Sequence, residues 1–185
     1  MTLEAYLKAR NEFHVRVIAR KKCRTVHLGE LVSQFFEDEL TIRHQCQEMR
    51  RIEKSFEVEG IRGELDSYNR LIPGGRNFKV AMLIRHESVP ERQRALAKSK
   101  GGERRPFVEM AGQASVFAIA DDDLERENEE KTSAVHFLRF ELTGAMVTAL
   151  KSGAQLKIGC DHAEYLAHLD ELEPETLASL VKDLA

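Results

Sequence analysis

The stretch Leu71-Ile72-Pro73-Gly74-Gly75-Arg76-Asn77-Phe78-Lys79-Val80-Ala81-Met82-Leu83-Ile84-Arg85 divides the chain into two kinds of structure. Before it, apolar residues recur every three or four positions, the spacing of helices. Pro73-Gly74-Gly75 then stops helical growth. After it, Phe78–Arg85 reads as a strand, and its two-sided apolarity predicts a central place in a sheet.

Upstream, Leu3, Tyr6, Leu7, Phe13, Val17 and Ile18 predict a helix from about Leu3 to Lys22, with Arg10 and His14 inside its apolar stripe. Its tail, Arg20-Lys21-Lys22 and then Arg24, suits the negative end of a helix dipole. A short strand, Thr25–Leu28, is expected to end at Gly29. Residues 30 to 56 read as a second helical stretch with a break near Asp38. Its stripe is Ile42, Cys46, Met49, Ile52 and Phe56, and Ile61, Leu65, Tyr68, Leu71 and Ile72 make a third.

Downstream, residues 88 to 105 predict an exposed helix and loop. Phe107–Ala111 and Ala114–Ala120 predict a hairpin across Gly112-Gln113. Asp121 to Lys131 is acidic and reads as a loop. Ala134–Leu142 alternates as a strand, Thr143 caps a helix to about Lys151, Gly153 ends it, and Ala154–Cys160 forms another strand. A terminal helix carries Leu177, Leu180, Val181 and Leu184, with Pro174 near its start. Helices first and strands later predict an α+β fold in one domain, residues 1–185. A block of about three helices (about 1–75) should pack on a small mixed β-sheet (about 76–185) with a strand-helix-strand unit and a terminal helix.

The 185 residues are enough to bury a core without metal or disulfide staples. Lys+Arg total 28 and Asp+Glu total 31, which argues against a dedicated nucleic-acid binder. The longest apolar runs fall far short of a bilayer span, so no membrane role is expected. The amino terminus shows no secretory signal pattern. Cys23, Cys46 and Cys160 are odd in number and form no CxxC pair, which fits a reducing cytoplasm.

On a wheel at about 100° per residue, Glu53 lands between Cys46 and Met49, inside the apolar face of the second helix. Gln45 lands between Ile52 and Phe56, and Glu48 sits at the edge beside it. Arg43, Arg50 and Lys54 take another side and read as solvated. A carboxylate on an apolar face needs a partner, because burying a lone charge costs several kcal/mol or shifts its pKa. Candidate partners are Arg10 and His14 on the first helix, and Glu64 and Tyr68 on the third. Two readings are open. One is a structural polar network, with Arg10 paired to Glu53. The other is an iron, manganese or zinc site built from Glu48, Glu53, Glu64 and a histidine such as His14 or His44. No Glu-x-x-His of the dimetal type occurs in these helices, although His44 and Glu48 stand four apart.

Cys160-Asp161-His162 forms a second constellation. Alternation places Cys160 with Leu156 and Ile158, which reads as a small buried hydrophobe. His136 begins the series His136, Leu138, Phe140 and Leu142. In parallel strands it would lie far along the sheet from His162, so a shared site needs another arrangement. Asp121–Glu125 lacks the spacing of a calcium loop, and Arg92–Arg105 leaves a weak nucleic-acid-binding module as a third reading, although it lacks aromatics for stacking and reads first as a solvated face.

Several stretches together resemble the bacterial family known as domain of unknown function 3501. They are Gln47–Glu53, Glu64–Pro73, Ser133–Phe140 and Asp161–Tyr165, with the pattern Tyr6, Arg10, Phe13 and Lys21–Arg24. The resemblance covers nearly the whole chain. It implies no assigned activity. The family's genes often neighbour those for rubrerythrin-like and iron–sulfur oxidoreductase proteins, which implies a partner in redox or oxidative-stress metabolism. The matching stretches make His136, Arg139, Asp161, His162 and Tyr165 a second candidate group. Ala163 stands where the family pattern has proline, which implies a less rigid loop around His162. Self-association is compatible with all of this.

Overall fold

The computed structural model describes residues 2–53, 65–85, 88, 101–120 and 134–185, and excludes the side chain of Glu53. Lys54, Phe56, Ile61, Glu64, the basic run from Arg92 to Lys100 and the acidic run from Asp121 to Lys131 lie outside the described residues.

Helix α1 (Leu3–Lys22) matches the predicted span. Thr2 caps it through its hydroxyl, which accepts from the Ala5 amide at 3.3 Å. Tyr6, Phe13 and Val17 are its buried face. Strands β1 (Thr25–Leu28) and β2 (Val32–Glu37) then form an antiparallel hairpin. The turn needs Gly29, whose φ is +59° and whose added Cβ would stand 2.6 Å from the Tyr165 hydroxyl.

Strand β2 corrects the helical reading of residues 30–37. Val32, Phe35 and Phe36 have helical spacing, but Val32 and Phe36 face the core together while half-buried Phe35 lies on the other face with buried Ser33 and Glu37. The core position between them is taken by a polar residue, fully buried Gln34, which hides the strand's alternation. The helix begins only at α2 (Glu39–Glu53). Asp38 caps it reciprocally: its carboxylate accepts from the Thr41 amide at 2.9 Å, and the Thr41 hydroxyl accepts from the Asp38 amide at 2.9 Å. Residues 65–69 are helical.

Strand β3 (Asn77–Ile84) is the middle strand of a sheet ordered β1-β2-β3-β7-β6, as its two-sided apolarity predicts. Here β6 is Ile119–Ala120 and β7 is Val135–Glu141. A second sheet, ordered β5-β4-β8-β9, contains β4 (Pro106–Glu109), β5 (Val116–Phe117), β8 (Lys157–His162) and β9 (Tyr165–Leu169). The predicted hairpin from Phe107 exists as β4–β5, but the chain then crosses to the first sheet at β6. Phe107 covers Gly159, where an added Cβ would meet its ring at 2.5 Å.

Helix α3 (Gly144–Lys151) is capped by Thr143, whose hydroxyl accepts from the Met146 amide at 3.1 Å. It joins β7 of the first sheet to β8 of the second. All strand pairings are antiparallel, so the single mixed sheet is replaced by two antiparallel ones. The parallel rule for a strand-helix-strand unit governs only strands that share a sheet. The fold is α+β.

The main core joins Val26, Phe36, Phe78, Val80 and Leu138 of the first sheet to Val108 and Ile158 of the second and to Met146, Leu150 and Leu180 of the helices. Tyr6, Phe13 and Val17, with Leu3 and Leu40, form a separate cluster between α1 and α2. Arg24 ties the hairpin to the terminal helix α4 (Pro174–Val181). Its buried guanidinium donates to the carbonyls of Phe36 (2.8 Å), Glu37 (3.1 Å) and Ser179 (3.1 Å), and to the Asp183 carboxylate.

Candidate functional site

The polar residues of the helical block meet on the seam between α1 and α2. The helices run so that Tyr6 and Arg10, four apart on α1, face Glu48, while His14 faces His44. Glu48 is the hub. It accepts from the Tyr6 hydroxyl at 2.6 Å and from Arg10 through Nε at 2.7 Å and a terminal nitrogen at 2.9 Å. Arg51, one turn along, adds bonds of 3.1 and 3.3 Å to Oε2. Arg10 holds the Glu48 carboxyl far below its usual range, with Tyr6 and Arg51 reinforcing it against partial burial. Burial and the adjacent carboxylate push the Tyr6 phenol up to about 12. At neutral pH the trio is a fixed anion clasped by a cation and a neutral phenol.

His44 lies on the Phe13 ring, with centroids 6.1 Å apart and planes 5° from parallel. The edge of Tyr6 bounds it at 6.4 Å. Its Nε2 stands 3.2 Å from Nδ1 of His14. Burial lowers the His44 pKa, assisted by His14, Lys21 and Arg10 and opposed by Glu48.

Of the sequence candidates, Arg10, His14, His44 and Glu48 come together. Arg10 bonds to Glu48, whereas Glu53 as its partner lies outside the described residues, as does Glu64. Gln45 is half-buried, and the inward amide of this helix is Gln47. Ile52, placed in the apolar stripe, is 61 % exposed. Arg43 is on the surface as expected and pairs with Glu39, but Arg50 is half-buried. Tyr68 is half-buried on residues 65–69. The tyrosine that satisfies the seam is Tyr6, which the sequence marks only as a core position. Its legible signal is the ladder Tyr6, Arg10, His14 on one helix against His44, Glu48 on the other.

The second candidate group does not assemble. His136 is buried on β7, level with Met82 and Gln34, while Asp161 and His162 end β8 in the other sheet. Arg139 binds Glu141 at 2.6 Å. Tyr165 donates to the carbonyl of Leu28 and so pins β9 to the β1–β2 turn. His162 Nδ1 accepts from the Glu164 amide at 3.2 Å. Cys160 is buried, and burial pushes its thiol up to about 11, consistent with an inert hydrophobe.

A cleft of about 370 Å³ lies elsewhere, lined by Glu109, Met110, Gln113, Lys157, Asp170 and Glu171 among others. Among the described residues, no group of three or more His, Cys, Asp or Glu is arranged to hold a metal. No helix among them is long and apolar enough to cross a membrane.

A family model described as protein of unknown function (DUF3501) matches residues 1–184. The chain is similar to a protein of unknown function from Burkholderia pseudomallei K96243, known from a crystal structure. The two share 51 % identity and superpose with a TM-score of 0.93, covering 100 % of this chain and 96 % of that one. No curated protein matches the sequence.

Proposed function

The chain belongs to the DUF3501 family of proteins of unknown function, and from that premise we propose that it is a non-catalytic accessory protein that binds a redox protein through the outer face of α1. One observation carries the reading. Leu7, Val15 and Ile18 are 50 %, 65 % and 55 % exposed. On a wheel at about 100° per residue they share one arc, well apart from the buried arc of Tyr6, Phe13 and Val17. Isolated exposed apolar residues are ordinary, but three on one arc, interleaved with exposed Glu4, Asn11 and Lys22, form a mixed surface suited to contact. Beside that arc stand Lys8 and Lys22, and the helix ends in Arg20-Lys21-Lys22. The fitting partner therefore presents an apolar patch rimmed by carboxylates. The redox class of that partner rests on the family resemblance alone. The inner face favours a scaffold, since Tyr6 and Arg10 both bind Glu48 of α2 and hold the helix that displays the arc.

Biolayer interferometry tests this with the purified chain against a rubrerythrin-like protein and an iron–sulfur oxidoreductase from the same organism. Binding to one of them is expected, weakened tenfold or more by combined Leu7→Ser, Val15→Ser and Ile18→Ser. Failure to bind either, or unchanged binding by the triple variant, rejects the reading.

A further inference from the structure

The geometry points to a transition-metal site formed by Nδ1 of His14 and Nε2 of His44, a two-imidazole clamp for Zn2+, Cu2+ or Ni2+ whose remaining coordination positions are filled by water. The two ring nitrogens belong to different helices and stand 3.2 Å apart. Two nitrogens each about 2.0–2.1 Å from a tetrahedral cation stand about 3.3 Å apart, so the pair already has the required bite. Without a cation, the same spacing is a hydrogen bond between one N–H and one lone pair. A metal uses both lone pairs once the donor ring carries its proton on its other nitrogen, Nε2 of His14 or Nδ1 of His44, so both rings stay neutral.

Three features make the pair more than a chance contact. His44 is held in orientation by stacking on Phe13, with planes 5° from parallel, and by the edge of Tyr6. A fixed ring loses less freedom on binding, which is the structural support a metal ligand ordinarily has. The pair is exposed, so a hydrated cation reaches it and keeps its waters. The nearest carboxylate, Glu48, is committed to Arg10, Tyr6 and Arg51. It compensates the Arg10 charge one turn away and leaves imidazole as the ligand type, which selects Zn, Cu and Ni over Mg or Ca. This site differs from a carboxylate cage in that no glutamate enters it, and it does not depend on the accessory role.

The test is competition with a chromophoric chelator, using ZnCl2, CuCl2 and NiCl2 separately on the intact chain. Wild type is expected to take up one equivalent of at least one of these ions. His14→Ala and His44→Phe should each weaken uptake tenfold or more. The phenylalanine preserves the stack on Phe13, and His14 lies on the surface, so both variants test ligation apart from folding. His168→Ala, at an exposed histidine elsewhere, should leave uptake unchanged. Uptake of none of the three ions at micromolar concentration overturns the proposal. So does binding by His14→Ala that equals wild type, or a loss in His168→Ala as large as in His14→Ala.

Discussion

A carboxylate that accepts from a phenol and two guanidinium groups is stabilised as an anion, and protonation breaks all of those bonds together. Glu48 is in that position. Its folded pKa lies below its unfolded value of 4.5, so its contribution to stability is complete above that pH. It is lost as the pH falls toward the folded value. Tyr6 behaves oppositely. Its folded pKa is raised to about 12 from 10.0, so its contribution is complete below pH 10 and lost as the pH rises toward 12. Urea melts as a function of pH are expected to show the acid loss in wild type and a flatter acid limb in Glu48→Gln. Tyr6→Phe should cost about 1–2 kcal/mol at neutral pH, the worth of a buried bond to a charged acceptor, and an unchanged urea midpoint would show the bond to be idle. Arg24→Met strands the buried Asp183 carboxylate and the carbonyls of Phe36, Glu37 and Ser179. About 3–5 kcal/mol of destabilisation should follow, read from the same melts. At this scale the sequence marks Arg10 as inward-facing, but it gives the need for a partner to Glu53 and sets Glu48 at the edge of the apolar face, so the pair Arg10–Glu48 was not read from it. It could not pair them, because helix phase fixes a face but not the register between two helices. Arg24 looked like a dipole-complementing cation, and nothing local distinguishes that from a buried clamp two of whose acceptors, Ser179 and Asp183, lie over 150 residues away.

Elements were most legible where local chemistry terminates them. Thr2 and Thr143 cap α1 and α3 through their hydroxyls, and both helices lie where the sequence places them. Strand β2 was misread because Gln34 occupies a core position, so its polar side chain imitates a helical break in the apolar pattern. The hand-over from β2 to α2 at Asp38 was visible as a break, and its reciprocal cap with Thr41 explains it. Although burial opposes it, the Thr41 amide and Arg20 hold the Asp38 carboxyl below its usual range. Sheet assignment was not legible: nothing in β7-α3-β8 reveals that the strands belong to different sheets. The packing of Phe107 on Gly159 gives an element-scale test. Gly159→Ala must displace the ring or part β4 from β8, at a cost of about 1–3 kcal/mol typical of overpacking. Thermal melting should show a lower midpoint, while Gly153→Ala, with open space around its Cβ position but φ +90°, should show only a backbone penalty.

In the whole molecule, a large core joins the two sheets to α3 and α4, and a small one joins α1 to α2. The small cluster has few buried apolar groups, so its opening free energy should be the lower of the two. Amides in the first half of α1 are therefore expected to exchange with deuterium faster than those of β3 and β7, and equal protection would contradict that ordering. The α+β class was legible because the punctuation at Pro73-Gly74-Gly75 separates helical from strand periodicity. The function was not, because no single motif carries it. The sequence puts Leu7 and Ile18 in one apolar stripe with Tyr6, Phe13 and Val17 and leaves Val15 out, and exposure together with helix phase sets Leu7, Val15 and Ile18 apart. Hydrogen–deuterium exchange on the chain alone and saturated with the proposed redox partner tests the central claim most directly. Added protection concentrated in Leu3–Lys22, with the two sheets unchanged, is the predicted result. Protection confined to the sheets, or no change anywhere on the chain, would contradict it.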